Sequence, residues 1–283
     1  AQGVDPVAVL EDDLPVAQRV RAPGRAHDLL AERHGPHELG RRRVLEPVRA
    51  ARVDLDVSRG ELLFEVDASG ANVVVLARAG QDLSAYRLTY SHLGFAYLDA
   101  GGAKPVWRVL HKLNDCGTAS SALYRQGLGE FFLDRPHRYE AAFVALSPEL
   151  QLQLLPLLKD NVRVGVVNEL RYSMVAYAWG QTYQQSNQWA VETLAVAAEP
   201  TIADRRQAQA WLQLKGYAPT PLTLGPLKRL GAMATAANVA FDDHPNEKRF
   251  SDRIETVTVD SVFAWLQRSG LGNAPVAVRG GLP

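Results

Sequence analysis

A glycine pair between two β-type stretches constrains this chain most. Residues 89–97 read Thr-Tyr-Ser-His-Leu-Gly-Phe-Ala-Tyr, residues 106–111 read Val-Trp-Arg-Val-Leu-His, and two adjacent glycines lie between them at 101–102. Aromatic and β-branched residues favour strands and paired glycines favour a turn, so this spacing predicts an antiparallel hairpin. Strands joined by a short turn lie side by side. We therefore expect His92 and His111 to meet on one face of a sheet.

The amino-acid composition indicates a globular protein and limits the partners that it could bind. The 283 residues are 47% hydrophobic, which is enough to bury the core of one large domain or two small ones. Basic and acidic residues number 31 each, so no whole-molecule charge attracts nucleic acid or an anionic membrane. No apolar run reaches the roughly 20 residues of a membrane span. We expect a small-molecule or peptide substrate, no nucleic-acid partner and no membrane span, and the oligomeric state stays open.

Hydrophobic periodicity predicts an α+β fold in which an antiparallel sheet packs against helices. Besides the hairpin, the sequence predicts strands at 71–77, 139–146 and 171–177, and helices at 119–132, 148–158 and 186–198. Beyond residue 200 the pattern predicts a mixed α/β extension, with helices at 204–214 and 261–267 and strands at 220–224 and 254–259.

Composition divides the chain into four segments. Residues 1–58 are Arg-rich with little aromatic content, and we expect partial order there at best. Residues 59–200 form the predicted core, and residues 201–269 form a C-terminal extension packed on it. The tail, 270–283, is rich in Gly, Pro and small residues and is expected to fray.

A serine at the start of a predicted helix completes a candidate hydrolase site. Acyl transfer needs a nucleophile, a base, a group that orients the base, and donors for the oxyanion. Here Ser186 would be the nucleophile, His92 the base and His111 the orienting partner. The unpaired N–H groups at the helix start would face the oxyanion. Three aromatic residues would line a substrate groove: Tyr97, Tyr183 and Trp189.

One resemblance supports this hypothesis. Residues 72–198 resemble the circularly permuted branch of papain-like hydrolases, the NlpC-type and lecithin-retinol-acyltransferase-type enzymes. There a Ser/Thr-His-x-Gly strand precedes a nucleophile that opens a helix in a pattern like Asn-Cys-x-x-Phe. In this chain, residues 185–189 read Gln-Ser-Asn-Gln-Trp, with Ser in the cysteine position and Trp in the Phe position. The resemblance implies a papain-like fold and a hydrolase or acyltransferase that acts on a cell-wall peptide or lipid acyl bond.

A closer resemblance covers residues 60–267. The segments Arg-Ala-Gly-Gln-Asp-Leu-Ser at 78–84, Gln-Gly-Leu-Gly-Glu-Phe-Phe-Leu-Asp at 126–134 and Phe-Asp-Asp-His-Pro at 241–245 are similar to an uncharacterised bacterial domain family. Members of that family are usually exported, so the resemblance implies a periplasmic or secreted protein. It assigns no activity.

Other interpretations of the same residues stay open. Serine is a preferred N-cap residue and a lone histidine on an apolar strand is often a core residue, so an inactive binding module of the same fold is the alternative function. Cys116 precedes a predicted helix, where a thiolate would be favoured. The cluster at 242–247 offers ligands from Asp242, Asp243, His244 and Glu247, but a hydrated turn is favoured there, and His34 with His37 is interpreted as solvated. We expect no metal and no cofactor.

Overall fold

The predicted hairpin lies at the centre of the sheet. The computed structural model describes residues 18–20, 60–133 and 136–279. Strand β3, His92–Asp99, pairs antiparallel with β4, Val106–Asn114, and the ladder runs from Asp99↔Val106 to Phe95↔Leu110. The β3 residues that precede Phe95, including His92, lie past the end of this ladder, and so does His111 of β4.

Five further strands complete a seven-stranded antiparallel sheet. Its spatial order is β1-β5-β4-β3-β2-β6-β9. The added strands are β1 (Gln18–Val20), β2 (Val73–Arg78), β5 (Ser121–Gly127), β6 (Glu140–Ala145) and β9 (Val276–Arg279). A separate pair is formed by β7 (Thr220–Thr223) and β8 (Arg253–Thr256). The α+β prediction, an antiparallel sheet packed with helices, is confirmed.

Helices cover the sheet and build the C-terminal part. They are α1 (60–68), α2 (Pro148–Lys159), α3 (Ser186–Ala198), α4 (Arg205–Leu214), α5 (Pro226–Thr235), α6 (Asn246–Arg249) and α7 (Val259–Arg268). Helix α3 is buried over almost its whole length, which suits its mostly apolar sequence, whereas α4 and α7 each bury one face.

Strand alternation gives the sheet two different apolar faces. On one face, Leu93 and Phe95 of β3 pack with residues of α2, α3 and α7. On the other, Ala96 of β3 and Val109 of β4 pack with α1 and with Phe131. Because side chains alternate along a strand, His92 belongs to the second face. We call these the α3 side and the α1 side of the sheet.

The structure corrects three predictions. Residues 119–132 do not form a helix, because Ser121–Gly127 is held as β5 by pairing along β4 and only a 3-10 turn follows. Residues 171–177 make one isolated bridge, between Arg171 and Ser120, and then turns. The tail expected to fray contributes β9, which pairs with β6. Of residues 1–58 only 18–20 are described, so His34 and His37 lie outside the described residues.

Candidate functional site

The two histidines of the hairpin are in direct contact. His92 Nε2 lies 2.8 Å from His111 Nδ1, and His111 Nε2 lies 2.7 Å from Gln126 Oε1 on β5. His111 is fully buried, whereas His92 is half-buried and reaches a cavity. Three strands thus hold a chain of polar groups, Gln126–His111–His92, which we call the histidine chain.

The order of donors along this chain fixes the proton positions. Gln126 Oε1 can only accept, so His111 Nε2 carries the hydrogen and His111 Nδ1 is the acceptor. His92 Nε2 must then donate to His111 Nδ1. In the neutral ring this leaves His92 Nδ1 with a lone pair. That nitrogen has the electronic state of a general base.

Close packing holds both rings in place. A Cβ at Gly94 would lie 2.7 Å from His111 Cβ and 3.0 Å from the Leu110 carbonyl oxygen, so only glycine leaves room for His111. The Phe131 ring lies 5.7 Å from the His92 ring and 5.1 Å from the His111 ring, between centroids. The Ser/Thr-His-x-Gly pattern therefore has a physical reason here, because the glycine makes the space that the second histidine fills.

The surroundings keep His92 neutral. Burial is the largest cause and lowers the pKa of His92 well below its usual 6.5, and the Arg78 guanidinium and His111 lower it further. Arg78 extends over the Phe131 ring, with its guanidinium carbon 4.8 Å from the ring centroid. A neutral imidazole at physiological pH is the form that can accept a proton.

His92 opens onto a cavity of about 670 Å³. The wall includes Ser186, Asn187 and Tyr172, and many other lining residues are apolar, among them Leu88, Leu113, Val175, Leu224, Val239 and Phe241. The charged residues of the described lining are Arg78, Lys228 and Arg229, and it includes no carboxylate. A cavity of this size and character suits a small organic ligand with an apolar body and a neutral or negative polar group.

Ser186 lies on the same cavity but bonds elsewhere. It is the first residue of α3, as predicted, and it is buried. Its Oγ lies 3.3 Å from Tyr172 Oη. Among the described residues no hydrogen bond joins Ser186 to His92, and α3 covers the face of the sheet opposite to the histidine chain.

Asn187 connects the start of α3 to the start of β3. Its Oδ1 accepts from the Leu93 amide at 3.1 Å, and its Nδ2 donates to the Ser91 carbonyl at 3.3 Å. Leu93 lies just past the end of the β3–β4 ladder. The first turn of α3 is thus bonded to the start of β3, and Ser186 and His92 line the same cavity.

The predicted substrate-binding aromatic residues lie away from the described cavity wall. Trp189 is fully buried against Phe95, with ring centroids 5.7 Å apart. Tyr97 is buried, and its hydroxyl accepts from Arg125 Nε at 2.7 Å. Tyr183 Oη lies 3.3 Å from Asp242 Oδ2. The cavity is instead lined by aromatic residues that the sequence did not single out: Tyr86, Tyr90, Tyr172 and Phe241.

Cys116 and the cluster at 242–247, the two other candidate sites, do not line the cavity. Cys116 is exposed and lies in the turn between β4 and β5, and because 119–132 is not helical it precedes no helix. Asp243 binds the Tyr177 amide at 2.8 Å and His244 Nδ1 at 3.0 Å. In the described part of the chain, no group of three or more His, Cys, Asp or Glu side chains is arranged to hold a metal ion.

Sequence analysis missed a charged cluster on the α3 side. Glu192, in the middle of α3, accepts from Arg205 Nε at 2.8 Å and from Gln209 Nε2 at 2.7 Å, and Gln184 also donates to it. Burial raises the pKa of Glu192, while Arg205 opposes the rise. An isolated Glu in an apolar helix is usually assigned to solvent, and the sequence gives no signal that Arg205 lies beside it.

Lys112 of β4 also points into the α3 side. Its Nζ donates to Asn168 Oδ1 at 2.7 Å and to the Glu169 carbonyl at 2.6 Å. Burial and, to a smaller extent, the nearby charge of Arg205 lower the pKa of Lys112 from 10.5 to about 7. Neither Lys112 nor Glu192 lines the cavity.

Comparisons with known proteins identify a family for this chain. A family model described as "Uncharacterized protein conserved in bacteria (DUF2145)" matches residues 65–266, a range that contains every cavity residue named above. No curated protein and no solved structure matches the chain. Within the described residues, the helices are too short or too polar to cross a membrane.

Proposed function

The chain belongs to this uncharacterised bacterial family, DUF2145, and from that premise we propose that it hydrolyses or transfers an acyl group at an amide or ester bond. His92 is the base and Ser186 the nucleophile in this proposal. The histidine chain carries it, because Gln126 and His111 orient His92 and leave its Nδ1 to accept a proton. The base and its orienting group correspond to those of acyl-transfer enzymes, and Ser186 lines the same cavity as the base.

The finer assignments belong to the same proposal. The fold would be a permuted papain-like one, with serine in the usual cysteine position, and the protein would act in the periplasm or outside the cell. A serine hydroxyl is far harder to ionise than a thiol, so attack depends on His92 taking the proton as the bond forms. The start of α3 would supply N–H donors to the oxyanion. A cell-wall peptide or a lipid acyl compound fits the largely apolar cavity.

Covalent labelling tests the catalytic proposal. A serine-reactive phosphonate should label the purified protein, and both Ser186→Ala and His92→Ala should slow labelling by at least about a hundredfold, the usual contribution of a general base. Ser269→Ala and His137→Ala, which change exposed residues that do not line the cavity, should label at the wild-type rate. Undiminished labelling of Ser186→Ala would remove the assigned nucleophile.

A second function is favoured by one specific contact. Ser186 Oγ is bonded to Tyr172 Oη rather than to His92, which suits a cavity that binds a ligand without reacting with it. In that case the wild-type protein resists the phosphonate but binds a fluorescent fatty acid, used as the acyl probe. Binding should then survive Ser186→Ala and weaken in Leu224→Gln, which places an amide in the apolar wall.

A further inference from the structure

Arg78 lies directly opposite His92 in the sheet. Strands β2 and β3 pair antiparallel, and Arg78 faces His92 in their register. Residues paired in this way point to the same face of a sheet, with Cβ atoms roughly 5 Å apart. Arg78 therefore belongs to the α1 side, as His92 does, and both residues line the cavity. The sheet thus places a cation beside the proposed base.

Packing holds the Arg78 side chain in one position. The residue is only 6% exposed. Its Nη1 donates to the Phe131 carbonyl oxygen, and its guanidinium lies over the Phe131 ring, which also packs against His92. A guanidinium has five N–H donors in a planar fork, so it can bond to the protein and to the oxygens of a ligand at the same time. A positioned arginine in a cavity wall is suited to bind a carboxylate.

The part of the cavity around His92 favours an anion. His92 is neutral there, because burial and the charge of Arg78 both lower its pKa. The described lining includes no carboxylate that would repel an anionic ligand. A negatively charged oxygen next to Arg78 gains from charge attraction and from charge-assisted hydrogen bonds, whereas a cationic group is repelled.

We propose that Arg78 binds a carboxylate of the substrate, next to the carbonyl group on which Ser186 and His92 act. This inference rests on the proposed function and names the substrate class, an acyl compound whose reacting bond lies close to a carboxylate, as in an N-acylated amino acid. The acyl chain occupies the apolar part of the cavity. The bound carboxylate also offsets the repulsion between Arg78 and a protonated His92, so it raises the pKa of His92 and makes that residue a stronger base.

Binding of two ligands that differ only in charge tests the carboxylate site. The ligands are a fluorescently tagged N-acylglycine and its primary amide, titrated into Ser186→Ala so that the proposed reaction does not consume them. The acid should bind roughly ten to a hundred times more tightly than the amide, as expected for charge-assisted hydrogen bonds. Arg78→Gln, added to this variant, should remove the preference. Arg78→Lys keeps the charge and should retain part of it.

Two control variants in the same background locate the site. Lys228→Gln removes a cation from the part of the lining built by α5, and Arg206→Gln removes an exposed cation of α4 outside the cavity lining. Both should keep the preference for the acid. Loss of the preference in Lys228→Gln but not in Arg78→Gln would place the carboxylate beside α5 and overturn the proposal. Equal binding of acid and amide before any change at Arg78 would overturn it as well, whether or not the Arg78 variants fold.

Phosphonate labelling separates a failure of this inference from a failure of the proposed function. A protein that is labelled at Ser186 but does not prefer the acid keeps the proposed reaction and loses the substrate class. A protein that prefers the acid through Arg78 but resists the phosphonate keeps the carboxylate site and loses the reaction.

Discussion

Each side of the sheet carries a cluster of polar side chains. One cluster is bonded entirely inside the fold, and the other ends at the cavity. On the α3 side, both carboxylate oxygens of Glu192 are bonded to side chains of Arg205, Gln184 and Gln209, and the cluster does not reach the cavity. On the α1 side, the histidine chain begins at the half-buried amide of Gln126 and ends at a ring that lines the cavity.

This difference separates structural from chemical roles. A buried charge whose bonds are all satisfied inside the fold fixes how elements pack, and removing one partner leaves the rest desolvated and unpaired. A chain that ends at a cavity has one acceptor left for a ligand. The comparison therefore predicts that variants on the α3 side change stability, whereas variants in the histidine chain change chemistry more than stability.

The largest expected effect is on the closed cluster. Glu192→Ala leaves Arg205 buried without its carboxylate, and the free energy of unfolding should fall by about 3–5 kcal/mol, measured by urea denaturation. Glu65→Ala, at an exposed position in α1, should change it by less than about 0.5 kcal/mol. If Glu192→Ala were as stable as the wild type, the α3-side cluster would not stabilise the fold, and the proposed division between a structural and a chemical cluster would be wrong.

Lys112, on the α3 side, should make the free energy of unfolding depend on pH. Its pKa is about 7 in the folded protein and its ordinary value is 10.5, so between these values the unfolded chain binds the extra proton. Stability should therefore rise as pH increases from 7 to 9, by a few kcal/mol in all. Lys112→Met should flatten that rise in urea titrations. Lys104, exposed in the hairpin turn, provides the control Lys104→Met, which should leave the slope intact.

A smaller effect is expected where the histidine chain meets the hairpin. Gly94→Ala places a methyl group against His111 and the Leu110 carbonyl oxygen, and overpacking of this kind costs about 1–3 kcal/mol. Because the clash displaces His111, the rate of phosphonate labelling should fall more than the loss of stability explains. Gly102→Ala, whose Cβ would have its nearest neighbour at 3.7 Å, should change neither measurement.

The smallest expected effect is the titration of His92. Its folded pKa lies below the ordinary 6.5, so the unfolded state takes up the proton first as the pH falls. The resulting stability is complete above pH 6.5 and is lost as the pH falls through the folded pKa. His92→Gln should reduce the slope of stability against pH below 6.5. The exposed His137→Gln variant should keep it, and an unchanged slope in both would show that His92 is not desolvated.

Structural features that depend on neighbouring residues were predictable from the sequence, whereas features that depend on contacts between distant residues were not. The contact between His92 and His111 follows from a short turn and strand alternation, both local, and the hairpin was predictable for that reason. Residues 121–127 carry spacing that also suits a helix, and only pairing along β4 selects the strand. The Glu192–Arg205 contact joins two different helices, so no local sequence pattern predicts it. The catalytic roles of Ser186, His92 and His111 stay predictions.

The link made by Asn187 has a consequence for which ligands fit. Because this side chain bonds the backbone on both sides of His92, the first turn of α3 and the first residues of β3 shift together or not at all. That part of the wall has a fixed shape. The wall built by α5, where no described side chain is buried, is freer to adjust to a longer or bulkier ligand. The protein would therefore bind the reacting end of each ligand in one fixed geometry and tolerate ligands that differ in length or bulk at the other end.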